Sequence, residues 1–205
     1  MVLQVLANSW INPLDQSIFE FFASRFHEQS EFLKTFWITF SSLGNFAIIW
    51  LLLIISLIVF KRTRKAGFFA LIVLIISVVL GELVIKNIAM RNRPFIDNNL
   101  DPFGFAIDGY SFLSSHTYQA FSVSTSLLFY YLFIDKLETK PLLIISIIFI
   151  IIAFFIGLSR LALIHHYFTD VLAGLILGVI TPLSLYKAFD YTYQKITIKL
   201  ARKKD

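Results

Sequence analysis

The chain has 205 residues, 58% of them hydrophobic, 15% charged and none cysteine, with a net charge of +5. Soluble domains carry about 45–50% apolar and about 25% charged residues, so a single globule of this size has more apolar surface than one core can hide. A soluble domain, a disordered chain, a collagen-like repeat and a disulfide or thiolate–zinc framework are excluded, and an all-α integral membrane helix bundle is expected.

Taken in chain order, the first fifteen residues have neither a basic start nor an apolar block, so no cleavable signal peptide is expected. Ile18, Phe19, Phe22 and Phe26 then recur at helical spacing among Asp15, Glu20, Arg25 and Glu28. That pattern predicts an amphipathic helix lying at the membrane interface within residues 1–35. Five runs follow that approach the ~20 apolar residues a bilayer span needs: about 36–60, 66–90, 116–134, 141–158 and 167–187. There is no internal repeat and no low-complexity tract. One domain over 1–205 is therefore expected, with a five-span bundle at 36–187 and a basic cytoplasmic tail at 188–205.

The basic residues are placed for lipid rather than nucleic acid, and no nucleic-acid partner is expected. Lys61, Arg62, Arg64 and Lys65 form one cluster, and Lys195, Lys199, Arg202, Lys203 and Lys204 another, both beside apolar runs. With Lys136, Lys140 and Lys187, twelve of the eighteen basic residues fall on one side of a five-span chain. The positive-inside bias makes that side cytoplasmic in a multi-pass cell-membrane protein. Segments 91–115 and 159–166 then share the outer side.

Three segments on that side carry the chemistry. In KNIAMRNRP, Lys86 and Arg93 are two helical turns apart, and Pro94 ends the span beside Arg93. Two cations converging at a membrane edge suit a phosphate, although flanking cations also snorkel to headgroups. In SFLSSHT, Ser114 or Ser115 is placed to cap the third span, whose free N–H groups favour an anion beside His116. For this segment alone, an ordinary serine cap beside an interfacial histidine is the stronger reading. In SRLALIHHYFTD, Arg160 follows an apolar run, and His166 lies four residues before Asp170. That spacing lets the carboxylate orient the imidazole if the fifth span begins there, whereas His165 points elsewhere. Together the three give two histidines, an aspartate, three cations and a helix N-terminus at one face. One Asp with two His is thin for a metal, and no metal or other cofactor is expected. Histidine attack on an anionic phosphorus is the chemistry that remains.

These residues make the chain resemble the type 2 phosphatidic acid phosphatase family, the integral membrane lipid phosphate phosphatases. The family's first signature, Lys-x6-Arg-Pro, is present as Lys86, Arg93 and Pro94, and its third, Ser-Arg-x5-His-x3-Asp, as Ser159, Arg160, His166 and Asp170. The second, Pro-Ser-Gly-His, is altered: Ser114 and His116 match, but Leu113 replaces proline and Ser115 replaces glycine. The resemblance implies that His166 attacks phosphorus, Asp170 orients it, and His116 protonates the leaving oxygen. Lys86, Arg93, Arg160 and the N–H groups of Ser114 and Ser115 would hold the phosphate. It further implies a membrane lipid phosphate as substrate. Polyprenyl diphosphate comes first, because the five spans with an interfacial helix look like the shorter bacterial members, and phosphatidate or phosphatidylglycerophosphate comes second. A catalytically silent lipid-binding relative is the rival that Leu113 and Ser115 motivate. The sequence does not read out an oligomeric state.

Among the smaller features, Glu82 stands four residues before Lys86 and is placed to pair with it. Arg91, Asp97, Asp101 and Asp108 read as largely solvated, with Arg91 as a candidate for a second phosphate. The segment Phe95–Phe112 reads as a lid or headgroup-shaping loop.

Overall fold

The computed structural model describes residues 12–105, 107–134 and 140–201. Lys136, Arg202, Lys203 and Lys204, four of the cations used for the sidedness expectation, lie outside the described residues. So do residues 1–11 of the N-terminal segment.

The architecture is all helical among the described residues. Helix α1 (Pro13–Arg25) starts where Asn12 accepts from the Asp15 N–H at 2.9 Å and proline takes the first turn. Its apolar stripe does face an apolar partner, but that partner is protein. Phe19 packs with Phe95, Ile164 and Tyr167, and Phe26 stacks on Phe103 at 4.0 Å between ring centroids.

Helices α2 (Glu31–Leu43) and α3 (Ile48–Val59) form one apolar run broken by a 3-10 turn at Asn45–Ala47, with a bend of 52°. Helix α4 (Arg64–Val78) continues through a π-helical stretch, Val79–Ile85, into α5 (Lys86–Ala89). The short α6 (Pro94–Asp97) follows, then α7 (Ser115–Phe129) with a π-helical end, α8 (Lys140–Ala162) and α9 (Phe168–Ala201).

Among the described residues, three helical stretches are long and apolar enough to cross a membrane, and the bent α2–α3 pair makes a fourth if it forms one span. The third run of the sequence, now α7, is helical as expected but differs in kind. Twelve of its fifteen residues are buried, and α4, α8 and α9 pack around it. A helix wrapped by other helices has no need of a lipid-compatible surface, and α7 carries Gln119, Ser122, Ser124, Thr125 and Ser126 inside the bundle. Close approach fixes its place against α9. A Cβ on Gly174 would stand 2.7 Å from the Ser114 carbonyl oxygen, and one on Gly178 would stand 2.5 Å from the Phe121 Cβ. This is the small-xxx-small contact of membrane helices. Helix α9 also runs on past the expected end of its span, unbroken to Ala201. The α7 and α9 N-termini and the α8 C-terminus meet at one end of the bundle, and α1 rests on that end.

Candidate active site

The turn between α8 and α9 presents His165 and His166, and both imidazoles are buried. Helix α9 begins at Phe168, so His166 stands in the turn before the helix rather than on its face as expected. Its Nδ1 lies 3.6 Å from the Asp170 Oδ2, longer than a hydrogen bond. Ser111 fills the gap. Its hydroxyl donates to Asp170 Oδ2 in a short hydrogen bond and lies 3.4 Å from His166 Nδ1. The network assigns the proton to Nδ1, which donates to Ser111 Oγ, and leaves the Nε2 lone pair facing the Arg93 Nη1 at 3.2 Å. Burial first, then the charges of Arg93, Arg160 and Lys86, hold His166 well below the ordinary histidine range. Burial and this geometry both favour the neutral imidazole, with its unprotonated Nε2 facing the Arg93 guanidinium, the form a nucleophile requires. The sequence gives no sign of Ser111's part, because a serine 55 positions from His166 leaves no local pattern.

The cations converge by a different route from the expected helix face. Helix α5 stops at Ala89, Met90 adopts a left-handed conformation (φ 47°), and Arg93 sits in extended backbone before Pro94. Arg93 is already heavily engaged. It donates to the carbonyls of Gly109 (2.9 Å), His165 (3.0 Å) and Asp108 (3.0 Å), tying the loop before α7 to the histidine turn. Lys86 pairs with Glu82 at 2.8 Å, as expected. Glu82 itself lies in the π-helical stretch, a backbone irregularity that recurs at functional sites.

Arg160 is fully buried and differs from the other cations. Nη1 donates to the Ser41 hydroxyl in a short hydrogen bond, while Nε and Nη2 have no partner among the described residues. A buried guanidinium with idle donors is costly, and an anion is its natural match.

Helix α7 supplies the N-terminal end. Ser114 occupies the cap position, but its hydroxyl goes to Thr117 Oγ1 at 2.9 Å instead of capping. The Ser114 N–H donates to the Asp170 carbonyl at 3.1 Å, so the structure takes this donor, expected on the phosphate, for holding α7 to α9. The Ser115 N–H, one residue later, opens the helix with no carbonyl in the preceding turn to receive it. The Ser115 hydroxyl is buried beside Glu82 without a hydrogen bond of ordinary geometry.

His116 Nε2 meets Asn45 Oδ1 at 2.9 Å, in the break between α2 and α3. A Cβ on Gly44 would come within 2.5 Å of the His116 ring, so the glycine makes the room. The bent helix pair thus holds two site residues, Arg160 through Ser41 and His116 through Asn45. A cavity of about 630 Å³ opens here, lined among others by Asn45, Glu82, Phe105, Asp108, His116 and Gln119.

Residues 66–194 match the PAP2 superfamily. The chain belongs to the PAP2 superfamily. This PAP2 chain is a membrane phosphatase that hydrolyses phosphate esters of lipids. Two solved structures share its fold. A transmembrane PAP2-type phosphatidylglycerolphosphate phosphatase from Bacillus subtilis is 24% identical, with 93% of each chain covered and a TM-score of 0.69. Aquifex aeolicus LpxE is 25% identical over 82% of this chain and 93% of its own, with a TM-score of 0.63. No curated protein matches the chain.

The PAP2 match contains Lys86, Arg93, Ser114, Ser115, His116, Arg160, His166 and Asp170, but Asp15, Ser41 and Asn45 fall before it. Of the smaller expectations, one fails. Arg91 is not solvated; it is 1% exposed and lies between two carboxylates, Asp170 Oδ1 at 2.5 Å and Asp15 Oδ2 at 2.6 Å. An arginine so held is not available for a second phosphate. Asp97 likewise has partners, accepting from the Tyr167 hydroxyl at 2.9 Å and from Asn92. The loop that carries Phe105, Ile107 and Asp108 shapes the cavity, with these three residues in its wall.

Proposed function

We propose that this phosphatase hydrolyses a lipid phosphate or diphosphate at the outer face of the membrane, without a metal, through a phosphohistidine at His166. The observation that carries the reading is the pair of idle, buried Arg160 donors beside a neutral His166 whose Nε2 is unprotonated. A phosphoryl group placed there takes its charge from Arg160, Lys86 and the Ser115 N–H, with Arg93 at its edge. His166 Nε2 attacks the terminal phosphorus, and the bond from that phosphorus to the leaving oxygen breaks, the oxygen being that of the lipid in a monophosphate and that of the lipid monophosphate in a diphosphate. That oxygen takes a proton from His116, and the imidazole carries the phosphoryl group. Water then attacks phosphorus, returning a proton to His116 and releasing inorganic phosphate and free His166.

Polyprenyl diphosphate is the first substrate to test, as the compact span pattern suggests. A second reading, phosphatidate or phosphatidylglycerophosphate, is favoured by Arg91, whose two carboxylate partners withhold it from a second phosphate. The test is phosphate release from both lipid classes by detergent-solubilised protein in EDTA, with acid-labile phosphoenzyme trapped in parallel. Turnover that disappears in His166→Ala supports the reading. A requirement for added metal, or full turnover in His166→Ala, overturns it.

A further inference from the structure

Asp15 is the first acidic residue of α1 and is completely buried, 155 positions before the catalytic aspartate it serves. Its Oδ1 accepts the Thr169 N–H at 2.8 Å, and its Oδ2 accepts the Thr169 hydroxyl at 2.7 Å and Arg91 Nη2 at 2.6 Å. Arg91 Nη1 goes on to Thr169 Oγ1 at 2.8 Å and to Asp170 Oδ1 at 2.5 Å. The other Asp170 oxygen receives the Ser111 hydroxyl and the Tyr167 N–H, the latter at 2.8 Å. A continuous chain therefore runs from α1 to the nucleophile: Asp15, Arg91, Asp170, Ser111, His166.

The charges along it decide its purpose. An Arg91–Asp170 pair alone would be neutral, and a neutral pair gives little help to an imidazole that becomes cationic as its Nε2 bonds to phosphorus. Asp15 on the far side of Arg91 draws the guanidinium charge toward itself and restores one net negative charge to the group. Inside a low-dielectric bundle that difference reaches the imidazole with little screening. We infer that Asp15 is a positioning residue for phosphoryl transfer, by which the N-terminal helix sets the charge of Asp170 and so the reactivity of His166. The inference rests on His166 as the nucleophile.

The full-length protein in detergent provides the test through steady-state kinetics and a charge cycle. Asp15→Asn makes the group neutral, and kcat is expected to fall about tenfold with KM unchanged, because Asp15 does not touch substrate. Asp15→Asn combined with Arg91→Gln returns the group to one negative charge, and kcat is expected to recover most of that loss. Two independent structural defects would instead add. Phe19→Ala loosens α1 without changing charge and is expected to lower Tm while leaving kcat. Wild-type kcat in Asp15→Asn, a double variant worse than the single one, or an equal kcat loss in Phe19→Ala overturns the inference. If Asp15→Asn does not fold, the double variant still decides: activity within about threefold of wild type supports the charge role, and a larger loss overturns it. His166→Ala run alongside separates the failures, since activity surviving there removes the nucleophile assignment itself.

Discussion

Arg91 and Arg160 are both buried at the same end of the bundle, and they are held in opposite ways. Arg91 lies between two carboxylates, under the ring of Tyr167 at 4.3 Å. Arg160 meets one hydroxyl and keeps Nε and Nη2 without partners among the described residues. Buried guanidinium groups cost free energy unless matched, so the first is matched within the fold and the second awaits its match from outside. The contrast separates a cation that builds the site from one that binds there, which residue type and burial alone do not do.

Removing each arginine breaks the comparison most sharply. Arg91→Ala leaves Asp15 and Asp170 buried with no cation between them, and is expected to destabilise the protein by about 3–5 kcal/mol. Thermal unfolding in detergent measures this as a large fall in Tm, with activity lost alongside. Arg160→Ala removes a charge with no carboxylate partner, so Tm is expected to stay near wild type. Its activity is expected to fall by about 10²–10³-fold, the usual cost of losing one donor to a developing oxyanion. Inorganic phosphate, the product, sharpens the difference: at about 100 times its Kd it stabilises a binding-competent protein by about 2.7 kcal/mol. That gain is expected in wild type and absent in Arg160→Ala. An Arg160→Ala protein that unfolds as readily as Arg91→Ala would make Arg160 structural and dissolve the distinction.

The same division runs through what the sequence reveals. Residues bound by short spacings were readable: Lys86 with Arg93 and Pro94, Arg160 with His166 and Asp170, and the Glu82–Lys86 pair one helical turn apart. The apolar runs also fall on helices, because a bilayer demands about 20 apolar residues wherever a helix meets lipid. What escaped was set by packing between distant segments. Asp15 is 76 positions from Arg91, Asn45 is 71 from His116 and Ser41 is 119 from Arg160. No periodicity links such pairs. Arg91 looked like a loop cation because its neighbours in sequence are polar, while its neighbours in space arrive from α1 and α9. The stripe of Phe19, Phe22 and Phe26 predicted an apolar face correctly, but a stripe does not say whether lipid or Phe95, Ile164 and Tyr167 will cover it. Between Lys86 and Arg93 a left-handed Met90 turns the chain where a straight helix was assumed.

The smallest effect concerns the altered second signature, where Ser115 replaces the family's glycine. A side chain at that position invites the thought that the phosphate is crowded out, but the geometry sends it elsewhere. Ser115 Oγ lies 3.5 Å from the position a Cβ on Gly81 would take, against the π-helical stretch that carries Glu82. The Ser115 N–H is left at the helix start, where the anion is expected. Replacing Ser115 by Gly removes a buried hydroxyl that lacks a good hydrogen bond, a gain of about 1 kcal/mol or more. It also costs up to about 1 kcal/mol in helix propensity, somewhat less at a first-turn position. The two nearly cancel, so Ser115→Gly is expected to change stability by less than about 1 kcal/mol and kcat/KM by less than about threefold. The measurement is phosphate release across the same lipid panel, with Tm in parallel. A gain of an order of magnitude would mean that the serine does crowd the phosphate at the α7 N-terminus.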